Sequence, residues 1–259
     1  MGRALVTGAG HRLGAAMALY LAGRGFDVAV HYASSSAGAD QIVREIQALG
    51  RKAVALHADL LDDDAAADLF GQAVAALGGP ITCLVNNASI FEYDTVASAT
   101  RDSWDRHMGS NLRAPFVLTQ AMAAQELATA PDAEGEPQAT GLIINMVDQR
   151  VRKLTPEFMT YTLAKMGLWA MTQTTARALA PAIRVNAIGP GPTLQGARQS
   201  DVHFANQRAN TLLERGANPT DITAALGYFL EATAVTGQLL CVDGGQHLGW
   251  HTPDIVGVE

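Results

Sequence analysis

The sequence predicts an α/β protein of one domain, a doubly wound sheet of about seven parallel strands with helices on both faces. Three observations predict it. Short apolar runs alternate with longer Ala-rich stretches along all 259 residues. The first run leads directly into a glycine-rich turn and then a helical stretch. No repeat or shift in composition marks a boundary inside residues 1–259. Such alternation is the pattern of βαβ units, whose parallel strands need crossover segments lying on the sheet faces. The apolar runs place strands near 3–7, 26–31, 53–57, 82–86, 141–147, 183–188 and 238–242, each crossover right-handed.

Composition narrows the function classes. With 18 Lys and Arg against 25 Asp and Glu the formal charge is −7, which argues against nucleic acid or an anionic membrane as the main partner and for a small-molecule substrate. No apolar run reaches the length of a membrane span. The first strand begins at Arg3, leaving no room ahead of it for a signal peptide, so a cytoplasmic protein is expected. Cys83 and Cys241 each stand alone among apolar residues and read as reduced, buried hydrophobes.

The turn after the first strand is Thr7-Gly8-Ala9-Gly10-His11-Arg12-Leu13-Gly14. Gly8 and Gly10 permit a tight turn and close backbone approach, Gly14 lets the next helix pack near the strand, and the helix N-terminus offers N–H groups to a pyrophosphate. Arg12 stands where many dinucleotide-binding turns carry a third glycine. The second strand ends in His31-Tyr32-Ala33-Ser34-Ser35-Ser36 with no acid. An NAD site places an Asp or Glu there for the ribose 2′-OH. Here Arg12, His31 and the serines supply donors for a 2′-phosphate, so NADPH is the expected cofactor, although a serine can equally cap the following helix.

Asp59-Leu60 follows the third strand; Asp59 accepts from an adenine amino group or caps the helix starting near Asp62. Asn86-Asn87-Ala88-Ser89 closes the fourth strand, and asparagines there hold neighbouring backbone beneath the cofactor. Phe91 is either an apolar lid or a stacking platform for a flat ring. A long helix from Thr100 to Ala128 carries Asn111, whose amide needs partners if buried. Ala128–Thr140 is of low complexity and reads as a solvated loop.

The richest stretch runs from Asp148 to Lys165. Gly141-Leu-Ile-Ile-Asn-Met-Val147 is a buried strand that delivers Asp148 at its carboxyl end, the edge of an open α/β sheet that faces ligand. Tyr161 and Lys165, four apart, share one helix face. A fixed ammonium near the phenol lowers its pKa and makes Tyr161 a usable acid; alone, such a pair is as well explained by packing. Gly189-Pro190-Gly191-Pro192 is a rigid turn suited to approach a nicotinamide, with 192–216 an irregular substrate lid and 246–259 a tail. His247 and His251 lie four apart with no third ligand near them, so no metal is expected.

Taken in order, the turn Thr7–Gly14, Asn86-Asn87-Ala88, Asn111, Tyr161 with Lys165, Gly189-Pro-Gly191 and Val242-Asp-Gly-Gly245 resemble the short-chain dehydrogenase/reductase family over essentially the whole chain. The resemblance implies a Rossmann-type fold, Tyr161 as general acid, Lys165 binding the nicotinamide ribose and Asn111 anchoring a water-linked proton relay. It also implies a homotetramer. The family's usual Ser, thirteen residues before the Tyr, is here Asp148. That departure, with Arg12, the His31-Tyr32 and serine run, and Asn87-Ala-Ser89-x-Phe91, resembles the pteridine reductases and dihydromonapterin reductases. In those the pterin lies between the nicotinamide and an aromatic ring matching Phe91, with contacts matching Arg12 and Ser89. A carboxylate at 148 suits a donor-rich pterin better than a neutral ketone. The function implied is NADPH-dependent reduction of a 7,8-dihydropterin C=N. The alternatives are a carbonyl or 3-oxoacyl reductase of the same family and a non-catalytic NADPH-binding protein.

Overall fold

In a computed structural model of the chain, which describes residues 2–196 and 199–250, all seven expected strands are present within a residue or two of their expected limits. They are β1 (Arg3–Val6), β2 (Asp27–Tyr32), β3 (Ala53–His57), β4 (Cys83–Asn86), β5 (Gly141–Met146), β6 (Ile183–Pro190) and β7 (Leu239–Val242). They form one parallel sheet in the order β3-β2-β1-β4-β5-β6-β7. Chain direction across the sheet reverses between β1 and β4, and a crevice opens there at the carboxyl ends of the strands. Residues 197–198 of the expected lid and 251–259 of the tail, His251 among them, lie outside the described residues.

Eight helices of the described residues cover the faces: α1 (Arg12–Gly23), α2 (Ser36–Ala48), α3 (Asp63–Leu77), α4 (Arg101–Met108), α5 (Ala114–Ala123), α6 (Met159–Leu179), α7 (Asp201–Ala209) and α8 (Pro219–Glu231). Side chains alternate across each strand. Ala4, Val6, Val28 and Val30 therefore pack with Met17 and Leu21 of α1 and Phe229 of α8. Leu5, Ala29, Leu84 and Ile143 face Leu69 and Phe70 of α3 and Met122 of α5. Burying each such large side chain contributes about 1.5–3 kcal/mol, and this fixes the strand ends that carry the site. No helix of the described residues is long and apolar enough to cross a membrane. Cys83 and Cys241 are free, and burial pushes the Cys83 thiol up to about 12.

Two expectations are corrected. The helix expected over Thr100–Ala128 is α4, a π turn at Gly109–Arg113 and α5, ending at Ala123. Pro115 has no N–H to donate back along a regular helix, and the wider turn accommodates its loss. The lid region is not wholly irregular, since Ser200 caps α7 by accepting from His203 N–H. Arg208 of that helix donates to the carbonyls of Pro192 and Ala217, joining the two feet of the excursion. The loop 128–140 is largely exposed, as expected, and folds back on itself in a two-residue antiparallel ribbon, Ala130–Pro131 with Pro137–Gln138.

Candidate active site

The glycine turn is held from three sides. Gly8, at φ 61°, donates its N–H to His31 Nδ1 at 3.0 Å. Asn87 Nδ2 donates to the carbonyls of Thr7 and Gly8 at 2.8 and 3.2 Å, so this amide does hold neighbouring backbone as expected. Any side chain at Gly14 would put its Cβ 2.2 Å from the Gly8 carbonyl oxygen. Asn86, by contrast, donates to the Asn145 side chain, which donates to Thr172 of α6, tying the sheet to the helix of Tyr161.

His31 corrects the sequence expectation. It is 1 % exposed, and with Nδ1 accepting from Gly8, Nε2 carries the proton and donates to Ala58 O at 3.0 Å. Burial lowers its pKa to about 4. Both ring nitrogens are used, so His31 is a brace for the turn and has no donor left for a phosphate. His11 was missed. It lies in the turn, lines the groove and places Nδ1 3.3 Å from Ser35 Oγ. Ser35 occupies the position before α2 but makes no side-chain cap bond, so its hydroxyl stays beside His11 on the groove wall. α1 likewise starts without a side-chain cap, which leaves its first N–H groups available.

A groove of about 420 Å³ runs along this edge. Its walls include Gly8, Gly10, Arg12, Leu13, Gly14, Tyr32 and Ser34, and further along Asp59, Leu60, Asn87, Ala88 and Ser89. Asp62, not Asp59, caps α3, accepting from the N–H groups of Asp64 and Ala65; Asp59 accepts from Leu61 N–H and stays on the groove wall. Free N–H groups at a helix N-terminus, hydroxyls and Arg12 instead of an acid after β2 fit a phosphorylated dinucleotide. Arg12 itself sits at φ 55°, a left-handed conformation that explains why glycine is common there. Its guanidinium donates to the carbonyls of Gln195 and Leu194 at 2.8 and 3.1 Å.

Arg12 and Ile90 also line a second cavity, of about 980 Å³, bounded by Phe91, Asp148, Pro190 and Gly191. Tyr161 donates its hydroxyl to Asp148 Oδ2 at 2.9 Å, and Asp148 Oδ1 accepts from Arg150 N–H at 2.7 Å. Lys165, 2 % exposed, donates to Met146 O at 2.7 Å and lies 5.7 Å from the Tyr161 ring centroid. This reverses the expected effect on the phenol. Burial, then the charge of Asp148, raise the Tyr161 pKa well above 10. Burial raises Asp148 as well and lowers Lys165 to about 8, opposed by the attraction of Asp148. The phenol is a proton donor to a carboxylate, not a phenolate beside an ammonium.

Other supports were invisible in the sequence. Phe158, left-handed at φ 55°, stacks on Phe91 with centroids 4.3 Å apart, and Phe91 meets Tyr161 edge-on at 4.7 Å. α6 has no cap of its own; Asp94 from the Phe91 loop supplies one, accepting from Thr160 N–H at 3.1 Å and from Thr160 Oγ1. His107 accepts from Glu92 N–H on Nε2, so its Nδ1 proton goes to Thr160 Oγ1 at 2.6 Å. Asn111 is a satisfied buried amide, donating to Ile90 O and accepting from Ile90 N–H, both at 2.8 Å. Its side chain therefore holds the Phe91 loop. His247 Nδ1 and N–H both engage Asp243 Oδ2.

The family model described as Enoyl-(Acyl carrier protein) reductase matches residues 8–247. The 3-oxoacyl-[acyl-carrier-protein] reductase FabG of Staphylococcus epidermidis is 31% identical over 252 residues, covering 95% of this chain and 98% of that protein. The chain belongs to the short-chain dehydrogenase/reductase family of oxidoreductases. Among solved structures, FolM Alternative dihydrofolate reductase 1 from Brucella suis, in complex with NADP, is 42% identical with a TM-score of 0.90 over 98% of each chain. A short-chain dehydrogenase from Burkholderia cenocepacia, also in complex with NADP, is 32% identical with a TM-score of 0.84 over 95% of this chain and 97% of the other.

Proposed function

We propose that this protein is an NADPH-dependent pteridine reductase that reduces the C=N of a 7,8-dihydropterin to the tetrahydropterin. One observation carries the reading: the Asp148 carboxylate, where a ketone reductase has a hydroxyl, accepts the Tyr161 proton and faces the cavity beside Phe91. A carboxylate there needs donors, and a pterin's amino group and ring N–H supply them. The likeness to FolM supports both the pterin and the NADP assignments.

In this mechanism the cofactor supplies the hydride. Ser34, Ser35 and His11 would hold its 2′-phosphate and the α1 N-terminus its pyrophosphate, with Asp59 and Leu60 flanking the adenine; Arg12, whose guanidinium is turned to the Leu194 and Gln195 carbonyls, faces the substrate side instead. Asn87, Ala88, Pro190 and Gly191 border the nicotinamide end. Lys165 fixes the ribose while charged. Phe91 stacks on the pterin ring, with Arg12 and Ser89 at its edge. Tyr161 releases its proton to the ring nitrogen as the carbon next to it accepts hydride, and Asp148 returns a proton to Tyr161 from the solvent side. The segment 192–216 closes over the substrate. The protein works in the cytoplasm as a homotetramer.

A second reading, carbonyl or 3-oxoacyl reduction, is favoured by the likeness to FabG; a protein that only binds NADPH would have no use for the Tyr161–Asp148 pair. NADPH oxidation by the purified protein, measured with dihydromonapterin, dihydrobiopterin and dihydrofolate beside simple ketones and an acetoacetyl thioester, separates them. Turnover of the pterins alone is expected. Turnover of the carbonyl compounds alone would overturn the pterin reading, and cofactor binding without any turnover would overturn catalysis.

A further inference from the structure

We infer that Arg150 makes the outer part of the substrate cavity a site for an anionic side chain, so that dihydropterins carrying a carboxylate or phosphate tail are preferred over those with a neutral one. The inference rests on the pterin reading and adds a specificity residue to it. Size is the first argument. A cavity of about 980 Å³ falls at the upper end of the roughly 300–1,000 Å³ typical of sites for extended ligands. A two-ring heterocycle against Phe91 and Asp148 fills only its inner end.

Position is the second. Arg150 follows Asp148 by two residues on the same wall and is fixed in a row of rings. Its guanidinium lies 5.0 Å from the Phe158 ring centroid, and Phe158 stacks on Phe91. Nη1 donates to Thr155 Oγ1. Phe158 takes one face of Phe91, so a ring stacked on the other face shares the cavity with a guanidinium held in place on its wall.

Charge is the third. Among the described residues no carboxylate lies within 4.0 Å of the Arg150 guanidinium. Its Nε is buried against the protein, which fixes the plane of the guanidinium. The other charges on the wall are accounted for. Arg106 is paired with Glu92 at 2.8 Å, and Arg12 is bound to the Leu194 and Gln195 carbonyls. Asp148 receives the Tyr161 proton, and Glu157 is exposed to solvent beyond ion-pair distance of Arg150. His203 adds a further nitrogen donor or acceptor on the far side. With Nη1 on Thr155 and Nε out of reach of solvent, Nη2 is the guanidinium nitrogen left to meet a carboxylate or phosphate oxygen.

The test compares kcat/KM of wild type, Arg150→Gln and Arg150→Lys on dihydrofolate, on the phosphate ester of dihydroneopterin and on neutral dihydromonapterin. The wild type is expected to prefer at least one anionic substrate by about tenfold or more, the size of a charge-assisted contact. Arg150→Gln should remove that preference through KM, while any change in kcat from losing the guanidinium's charge beside Asp148 and Tyr161 is shared by all three substrates, and Arg150→Lys should restore part of the preference as a point charge. Which anionic substrate responds tells carboxylate from phosphate. No preference in the wild type, or KM changes that are equal on anionic and neutral substrates in both variants, overturns the inference while leaving pterin reduction standing. Failure of the wild type to turn over any of the three overturns the pterin reading and this inference together.

Discussion

Lys165→Met should make the protein more stable at neutral pH while removing most of its activity. Burial lowers the Lys165 pKa from 10.5 to about 8. At about 1.4 kcal/mol per pH unit, the charged amine is disfavoured in the fold by roughly 3 kcal/mol. The variant gives up the hydrogen bond to Met146 O, which leaves a buried carbonyl short of a partner and costs about 1–2 kcal/mol. A net gain of about 1–2 kcal/mol follows, or about 2–8 °C in Tm for a domain of this size. The sign with pH is fixed by linkage. Below about 8 both folded and unfolded lysine are charged, and the penalty is whole. Between 8 and 10.5 the unfolded chain binds the extra proton, so wild-type stability rises with pH relative to the variant. Above 10.5 the penalty is gone and the wild type should be the more stable. Urea titrations of both proteins at pH 7 and at pH 10.5 measure this. A variant less stable than wild type at pH 7, or a gap that does not change with pH, would refute the reasoning. In the wild type, kcat/KM should fall as pH rises through about 8 with Lys165 losing its proton, while Tyr161, held well above 10, stays protonated.

Asp148→Asn keeps an acceptor for Arg150 N–H but meets the Tyr161 hydroxyl with an amide; turnover should fall about 10²–10⁴-fold with the NADPH dissociation constant within a few fold, both read by fluorescence titration and steady-state rates. His31→Leu should weaken NADPH binding by loosening Gly8. In the wild type, burial holds the His31 pKa near 4, so stability is whole above 6.5 and falls by roughly 3 kcal/mol as pH drops through 4. The variant's unfolding should take up one proton fewer across that window, which a stability–pH series detects. Asp94→Ala removes the cap that α6 lacks on its own; a stability loss of about 1–2 kcal/mol and a fall in kcat without a change in NADPH affinity are expected, since the cap bears on Tyr161 and not on the glycine turn.

What was legible in the sequence was what neighbours in the chain determine. The strand limits, the Thr7–Gly14 turn, and Tyr161 with Lys165 on one face follow from local period and spacing. The misreadings arise where burial and distant partners decide. His31 has the composition of a phosphate donor, but it points into the sheet edge, where Gly8 and Ala58 take both nitrogens. The side chain of Asn111 is buried and satisfied, as one of its two readings had it, by Ile90 twenty-one residues away, a pairing that carries no sequence pattern. Phe158 and Asp94 act across 67 and 66 residues, so no sequence window contains either pair.

The proton arrangement shows most clearly why spacing was insufficient. Four residues between Tyr161 and Lys165 fixed their nearness, but a pKa follows from solvent exclusion and from the charge at the oxygen itself. Exclusion raises the phenol and the carboxylate and lowers the amine. The nearest charge to the phenol oxygen is Asp148, thirteen residues earlier, and not the ammonium that shares the helix. Tyr161 thus keeps its proton until a substrate competes with Asp148 for it. A substrate that itself donates to Asp148 removes the phenol's acceptor and presents a basic ring nitrogen in the same step. A dihydropterin has donors and acceptor together, whereas a ketone offers Asp148 nothing to accept. In the proposed mechanism the carboxylate at 148 would select between these substrates through the proton it controls.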